Sequence, residues 1–128
     1  MTQRLPDIVI VCDRHRPGGP PDLVARYRYK SGQGTWVPPQ KGNAVKVTYF
    51  AGNREMGAAE YLALGRGEPL DGRFREHHEI CCTICTNRLK ARRDGLVHAF
   101  RECVADGRSL ITLDVLRDRY ERVVKLLR

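Results

Sequence analysis

Two pairs of side chains that can bind a metal ion lie far apart in this sequence of 128 residues. The first pair is Cys12-x-x-His15 and the second is Cys82-x-x-Cys85. A tight turn with this spacing brings both ligand atoms of a pair to one side, so the two pairs together would complete a tetrahedron. Three thiolates and one imidazole are soft ligands that leave no vacant position. They predict one structural Zn²⁺ that does not activate water.

Neighbouring residues offer alternative ligands. Cys81 directly precedes the second pair, and the tandem His77-His78 stands a few residues before it. Either could replace His15 as a ligand. Either alternative would reach the metal after a modest loop movement. Cys103 lies instead on the apolar stripe of a predicted helix, which indicates a buried core thiol. The sequence therefore leaves the fourth ligand open between His15 and these rivals.

The cysteine count and hydropathy indicate a cellular compartment. Five cysteines are an odd number, so a closed set of disulfides would leave one over. The longest apolar run near the start, residues 8–11, is the size of a strand and is neither a membrane span nor a signal sequence. We therefore predict a cytoplasmic protein without membrane contact, in which the thiols stay reduced.

The hydrophobic pattern predicts an α+β fold. Apolar runs and alternation predict strands at residues 7–12, 25–30, 35–37 and 45–50, the second and third forming a hairpin. Helical spacing predicts helices at 54–64, from 86 or 87 to 105, and within 109–128. Asn53 and Thr112 are suited to cap two of these helices, and Gly107 is suited to end another.

The order of these elements resembles the treble-clef class of zinc fingers. In that class a knuckle and hairpin supply two metal ligands, and the first turn of a following helix supplies two more. Residues 80–91 are also similar to the second knuckle of zinc-containing HNH nucleases, in which a Cys pair precedes Asn-Arg-x-Lys. Thr86 stands where those nucleases have a metal-binding His, and Asp13-Arg-His15 does not match their Asp-His base. The resemblance therefore implies a zinc-binding scaffold without catalysis.

The resemblance and the charge distribution together suggest an organisation of the chain. We expect a single domain over residues 1–128, with a zinc-binding core formed by 7–37 and 79–105. Residues 38–78 would be an inserted α/β segment, and 109–128 a C-terminal amphipathic helix. The middle of the chain, 51–85, carries more acidic than basic residues, unlike the segments on either side.

The formal net charge of +8 favours a polyanionic partner, although 18 of the 23 basic residues are Arg, which genomic base composition alone can cause. Two clusters would contact phosphates, one on the predicted hairpin and one on the predicted helix after the second ligand pair. The candidate nucleic-acid-binding residues are Arg26, Arg28, Lys30, Arg88, Lys90, Arg92 and Arg93. Tyr27, Tyr29 and Trp36 are interpreted as a small aromatic core beside the metal.

Three functions fit these features. The first is a non-catalytic zinc-binding protein that binds nucleic acid, DNA or RNA, in a regulatory or accessory role. The second is a protein-interaction adaptor, in which zinc stabilises a scaffold whose insertion or C-terminal helix docks a protein partner. The third is a divergent HNH-type nuclease that uses His77 or His78. The first is our working hypothesis.

Overall fold

The computed structural model describes residues 4–15, 18–39, 42, 44–60 and 74–126. These ranges form a mixed α+β structure of eight strands and two long helices, and residues 58–60 form a short helical segment. The strands are β1 (Ile8–Cys12), β2 (Asp22–Lys30), β3 (Thr35–Val37), β4 (Val45–Ala51), β5 (Arg54–Met56), β6 (Phe74–Cys81), β7 (Arg88–Arg92) and β8 (Leu110–Thr112). The helices are α1 (Arg93–Ala105) and α2 (Leu113–Leu126). No helix in the described ranges is both long and apolar enough to span a membrane.

The first sheet has the strand order β3-β2-β1-β8. Strand β1 pairs antiparallel with β2 and parallel with β8, and β2 and β3 form the predicted hairpin. Alternation in β2 places Tyr27 inside and Arg26, Arg28 and Lys30 outside, because successive side chains of a strand point to opposite faces. Of the three predicted core aromatics, Tyr27 and Trp36 are each 1% exposed, and Tyr29 is partly buried against the same core.

The second sheet has the order β5-β4-β6-β7, and all its neighbouring strands are antiparallel. Strands β4 and β5 lie within residues 38–78, the segment interpreted as an insertion. They nevertheless pair into the same sheet as β7. Strand β7 alternates between exposed Arg88, Lys90, Arg92 and buried Leu89, Ala91.

One hydrophobic core joins both sheets and both helices. Phe100 of α1 packs edge-on against Tyr27 at 5.0 Å and Trp36 at 5.7 Å between ring centroids. Ile80 and Leu89 of the second sheet belong to the same cluster. Burial of these side chains supplies the main stabilisation, on the order of 2 kcal/mol for each large apolar side chain.

A buried polar chain also connects the two sheets. The Tyr27 hydroxyl lies 2.7 Å from Nδ1 of His78, whose Nε2 lies 2.6 Å from Oε2 of Glu76. Glu76 also pairs with Arg93 at the start of α1, at 3.4 Å. Burial raises the pKa of Tyr27, so its hydroxyl stays protonated and can donate to His78. This chain fixes the inner face of β6 against β2.

The ends of the two helices follow the predicted signals. Thr112 accepts a hydrogen bond at its Oγ1 from the backbone N–H of Val115, at 3.1 Å, so it caps α2 as expected. Gly107 has a φ of 76°, and the N–H of Arg108 returns to the carbonyl of Cys103 at 2.8 Å. A left-handed glycine therefore ends α1.

Two sequence predictions of helices are wrong in part. The helix expected from residue 86 or 87 starts only at Arg93, because residues 88–92 pair with β6 as strand β7. The helix expected over 54–64 is replaced at its start by β5, which pairs with β4. Residues 58–60 are helical, whereas residues 61–64 lie outside the described part of the chain.

Candidate metal centre

The four predicted ligands meet at one point between the two sheets. Their ligand atoms all lie within 4.8 Å of one another. Sγ of Cys12 is 3.7 Å from Sγ of Cys85, and Sγ of Cys82 is 3.9 Å from Nδ1 of His15. Cys12 is the last residue of β1, and His15 lies in the turn that follows. The group can hold a metal ion.

The second ligand pair lies in the loop between β6 and β7. The N–H of Cys82 donates to the carbonyl of Asn87 at 2.9 Å, which closes this loop across its base. The helix begins only at Arg93, so its first turn supplies no ligand and the expected treble-clef arrangement of the second pair is not observed. Each ligand pair instead follows a strand, β1 for the first and β6 for the second.

The surroundings of Cys82 and Cys85 shift the pKa values of these two thiols in opposite directions. Burial opposes ionisation of Cys82, but the backbone N–H groups of Ile84 and Cys85 outweigh it and lower the Cys82 pKa. At Cys85 the N–H of Asn87 favours the thiolate, whereas burial and the thiols of Cys82 and Cys12 raise the pKa. Crowded thiols repel one another once they ionise, and a bound cation removes that repulsion.

His15 is oriented by a carboxylate on β2. Its Nε2 hydrogen-bonds to Oδ2 of Asp22, which leaves Nδ1 directed at the cluster. This bond is the main reason why the pKa of His15 is raised. A carboxylate behind a metal-binding imidazole fixes the ring and increases its basicity, so Asp22 supports His15 as a ligand.

A second set of polar side chains links the cluster to α2. Asn87 directs its amide nitrogen at Sγ of Cys12, at 3.7 Å, and its amide oxygen accepts from Arg117 at 2.5 Å. Arg117 and Arg14 each contact Asp114 at 2.7 Å. Although burial opposes ionisation of Asp114, these two guanidinium groups lower its pKa. Helix α2 thus braces both ligand pairs.

The rival ligands are placed elsewhere. The cluster includes His15, and neither Cys81 nor the tandem histidines belong to it. Cys81 directs its thiol at the carbonyl of Cys82, at 3.4 Å. His78 is 2% exposed and bound to Tyr27 and Glu76, whereas His77 points to the opposite face of β6. Cys103 is fully buried in the core, as expected.

The predicted basic residues lie on two different sheets. Arg26, Arg28 and Lys30 are exposed on the outer face of the first sheet, whereas Arg88, Lys90 and Arg92 are exposed on the outer face of the second. The expectation that a helix carries the second cluster is wrong, because β7 carries it and only Arg93 is helical. Both outer faces point away from one shared core, so the clusters do not form one continuous strip.

Several of these cations already have partners. Arg26 pairs with Asp7 at 3.1 Å, Arg88 with Glu79 at 3.5 Å, and Arg92 with Asp94 at 3.8 Å. Arg93 contacts both Glu76 and the hydroxyl of Thr35. Lys90 has no acidic partner within the described ranges, so it is the most available cation of β7. Arg93 therefore mainly holds structural elements together and contributes less to the charged surface.

Sequence reasoning missed the residues that support the ligands. Asn87 stands two positions after Cys85, a weak local signal, because it also resembles a helix cap. Asp22 and Asp114 carry no local signal, since each reaches the centre only through sheet pairing or helix docking.

Comparison with protein-family models, with curated proteins and with solved structures finds no match to this chain. The function of the chain is therefore inferred from the chemistry of its own residues.

Proposed function

We propose that this protein binds one structural Zn²⁺ through Cys12, His15, Cys82 and Cys85 and uses the stabilised fold to bind nucleic acid without catalysis. The convergence of three sulfurs and one imidazole nitrogen supports the metal assignment. Two sulfurs bound tetrahedrally at about 2.3 Å from Zn²⁺ lie about 3.8 Å apart. The separation of 3.7 Å between Cys12 and Cys85 agrees with that geometry.

The outer face of the second sheet supports nucleic-acid binding. Register places side chains of β4 and β6 on the same face as the exposed side chains of β7. We call this surface the basic sheet face, and it consists of Lys46, Arg75, Arg88, Lys90 and Arg92. Cations on three neighbouring strands, three of them in a row on β7, suit a phosphate backbone, and their contribution is electrostatic rather than sequence-specific. A regulatory or accessory role fits such binding.

Charge reversal and salt together test this function. We expect anisotropy titrations with labelled oligonucleotides to show affinity that falls steeply between about 50 and 200 mM salt. The slope of log affinity against log salt concentration should be roughly one for each phosphate contacted. The double variant Lys90→Glu, Arg92→Glu should abolish most binding. Arg122→Glu, an exposed charge on α2, is the control. Binding that responds neither to salt nor to the double variant rejects the proposal.

The first sheet can be tested in the same way. Arg26→Glu with Arg28→Glu reverses the hairpin cluster on the other outer face. A loss confined to this variant would move the binding surface to the first sheet. A loss confined to the β7 variant assigns it to the basic sheet face.

A protein-interaction adaptor is the second candidate, and exposed leucines favour it. Leu23 and Leu110 are 64% and 63% exposed. They pair with Val11 and Val9, two positions apart on β1, so both lie on the outer face of the first sheet. A partner bound there would be lost in Leu110→Ser and would not compete with oligonucleotides.

A further inference from the structure

A concave pocket of about 280 Å³ opens on the basic sheet face. Strands β4, β6 and β7 all contribute to its walls. Its lining includes Phe50, Arg75, His77, Glu79 and Lys90. None of them belongs to the metal cluster, so the pocket is a separate feature of the molecule.

The pocket is electropositive. Arg75 and Lys90 reach it from neighbouring elements, and the single acidic group in the lining, Glu79, is offset by its ion pair with Arg88. Arg75 donates one N–H bond to the carbonyl of Gly52, at 2.6 Å. A guanidinium has five donors in all, so Arg75 retains others for an anion.

His77, which lines the pocket, carries an unsatisfied polar atom. Its Nε2 is buried and has no hydrogen-bond partner among the described residues. Leaving a buried polar atom unpaired is unfavourable, and such atoms call for an explanation in a native structure. A ligand oxygen in the pocket would supply the missing partner after a small movement of the ring.

Phe50 makes one wall apolar. Its ring meets the His77 ring edge-on at 5.1 Å between centroids, and the Arg75 guanidinium carbon lies 6.0 Å from its centroid. An aromatic wall beside cations suits a nucleotide, which combines an anionic phosphate with a flat base. In a duplex the base is paired and stacked, so only an unpaired strand can bring both parts into one pocket.

We infer that this pocket binds one nucleotide of a single-stranded nucleic acid, with its phosphate between Arg75 and Lys90 and its base or sugar against Phe50. The inference rests on the proposed function and adds a preference for unpaired strands. It also assigns a specific role to Lys90 that the other cations of β7 do not share.

The test compares labelled oligo(dT) and oligo(U) with a dT·dA duplex of the same length. The pocket variants are Lys90→Gln and Phe50→Leu, and the matched control is Lys46→Gln, an exposed charge on the same face of the sheet but outside the pocket lining. Metal content and thermal melting establish that each variant is folded. We expect each pocket variant to weaken single-strand binding about fivefold to tenfold, which is the loss of one base-stacking or phosphate contact. Lys46→Gln should weaken single-strand and duplex binding equally.

Two results would overturn the inference. Pocket variants that affect duplex and single strand equally, or no more than Lys46→Gln does, would reject the pocket and leave nucleic-acid binding intact. Failure of the wild-type protein to bind any of the three probes at low salt would reject the proposed function itself. Tighter binding of either single strand than of the duplex, lost in both pocket variants, supports the inference. The strand that binds more tightly then shows whether the pocket takes a deoxyribonucleotide or a ribonucleotide.

Discussion

At the scale of single residues, Asp22 orients His15, one of the four proposed metal ligands. Its carboxylate holds Nε2 of His15 and thereby directs Nδ1 at the cluster. In Asp22→Asn the hydrogen bond loses its charge while the side chain keeps its size. We expect zinc affinity to fall about tenfold, since partners behind a metal-binding histidine typically contribute 10–100-fold. Competition with a chromogenic chelator measures this change, and Asp13→Asn, an exposed carboxylate on the adjoining loop, should leave affinity unchanged.

His77 provides a prediction about pH. Burial, together with Arg75 and Arg92, lowers its pKa below the ordinary value, while Asp94 opposes the effect. The free protein therefore carries a neutral imidazole at neutral pH. A phosphate bound in the pocket favours the imidazolium, so binding takes up a proton and affinity must rise as the pH falls. Groups facing His77 come from β4, β6, β7 and α1, and they are Thr48, Phe50, Arg75, His78, Glu79, Lys90, Arg92 and Asp94.

The measurement uses oligo(dT), because its bases and phosphodiesters do not titrate between pH 5.5 and 7.5. Affinity at pH 5.5 should exceed that at pH 7.5 by about threefold to tenfold, which corresponds to a pKa difference of up to one unit. His77→Gln should flatten the profile, and His98→Gln, an exposed histidine on α1, should not. A profile unchanged by His77→Gln would show that other groups cause it.

At the scale of elements, the contact between α1 and α2 depends on Gly95. A Cβ built there would lie 2.8 Å from the Tyr120 ring, whose hydroxyl also accepts from the N–H of Arg92 at 2.9 Å. Ala normally stabilises a helix interior by about 1 kcal/mol relative to Gly. Here we expect Gly95→Ala to lower the free energy of unfolding in urea by about 1–2 kcal/mol, because the helices must separate.

A double-mutant cycle gives the control for that prediction. In a Tyr120→Leu background the ring atoms that the new methyl group meets are gone. Gly95→Ala should then be neutral or stabilising, which gives a coupling energy of at least about 1 kcal/mol. Additive effects of the two substitutions would mean that the helices tolerate the methyl group without the ring moving.

The elements that were predictable carry their signal locally. The β2–β3 hairpin shows strict alternation around a Ser-Gly-Gln-Gly turn, and Thr112 and Gly107 mark helix ends by their own chemistry. Strand β6 was missed because its core-facing His78 is polar and three of its other residues, Arg75, Glu76 and Glu79, are charged. Strand β7 was then mistaken for helix, since Leu89 and Leu96 also fit a helical stripe. Its true pairing depends on β6, which sequence periodicity did not reveal.

At the scale of the whole molecule, the spacing of the two pairs correctly predicted that Cys12, His15, Cys82 and Cys85 converge, although the treble-clef arrangement around them was not observed. A tetrahedral site constrains only the four ligand atoms, so different strand and helix arrangements can present them. The supporting residues were beyond prediction because Asn87, Asp114 and Arg117 meet only after α2 docks. Pairwise spacing therefore predicts ligands better than it predicts topology.

The proposed metal centre would join the turn after β1, in the first sheet, to the β6–β7 loop in the second. Structural Zn²⁺ contributes on the order of 10 kcal/mol in small zinc modules, comparable with the whole stability of a domain of about 5–15 kcal/mol. We therefore expect one zinc per chain by elemental analysis, and a large fall in the melting temperature on chelation. Cys85→Ser should lose the metal and largely unfold, whereas Cys81→Ser, one residue before the second pair, should retain both metal and melting temperature. Equal behaviour of the two variants would contradict stabilisation of the fold by a metal bound at this cluster. Of these two cysteines, it is Cys85 whose sulfur lies 3.7 Å from that of Cys12.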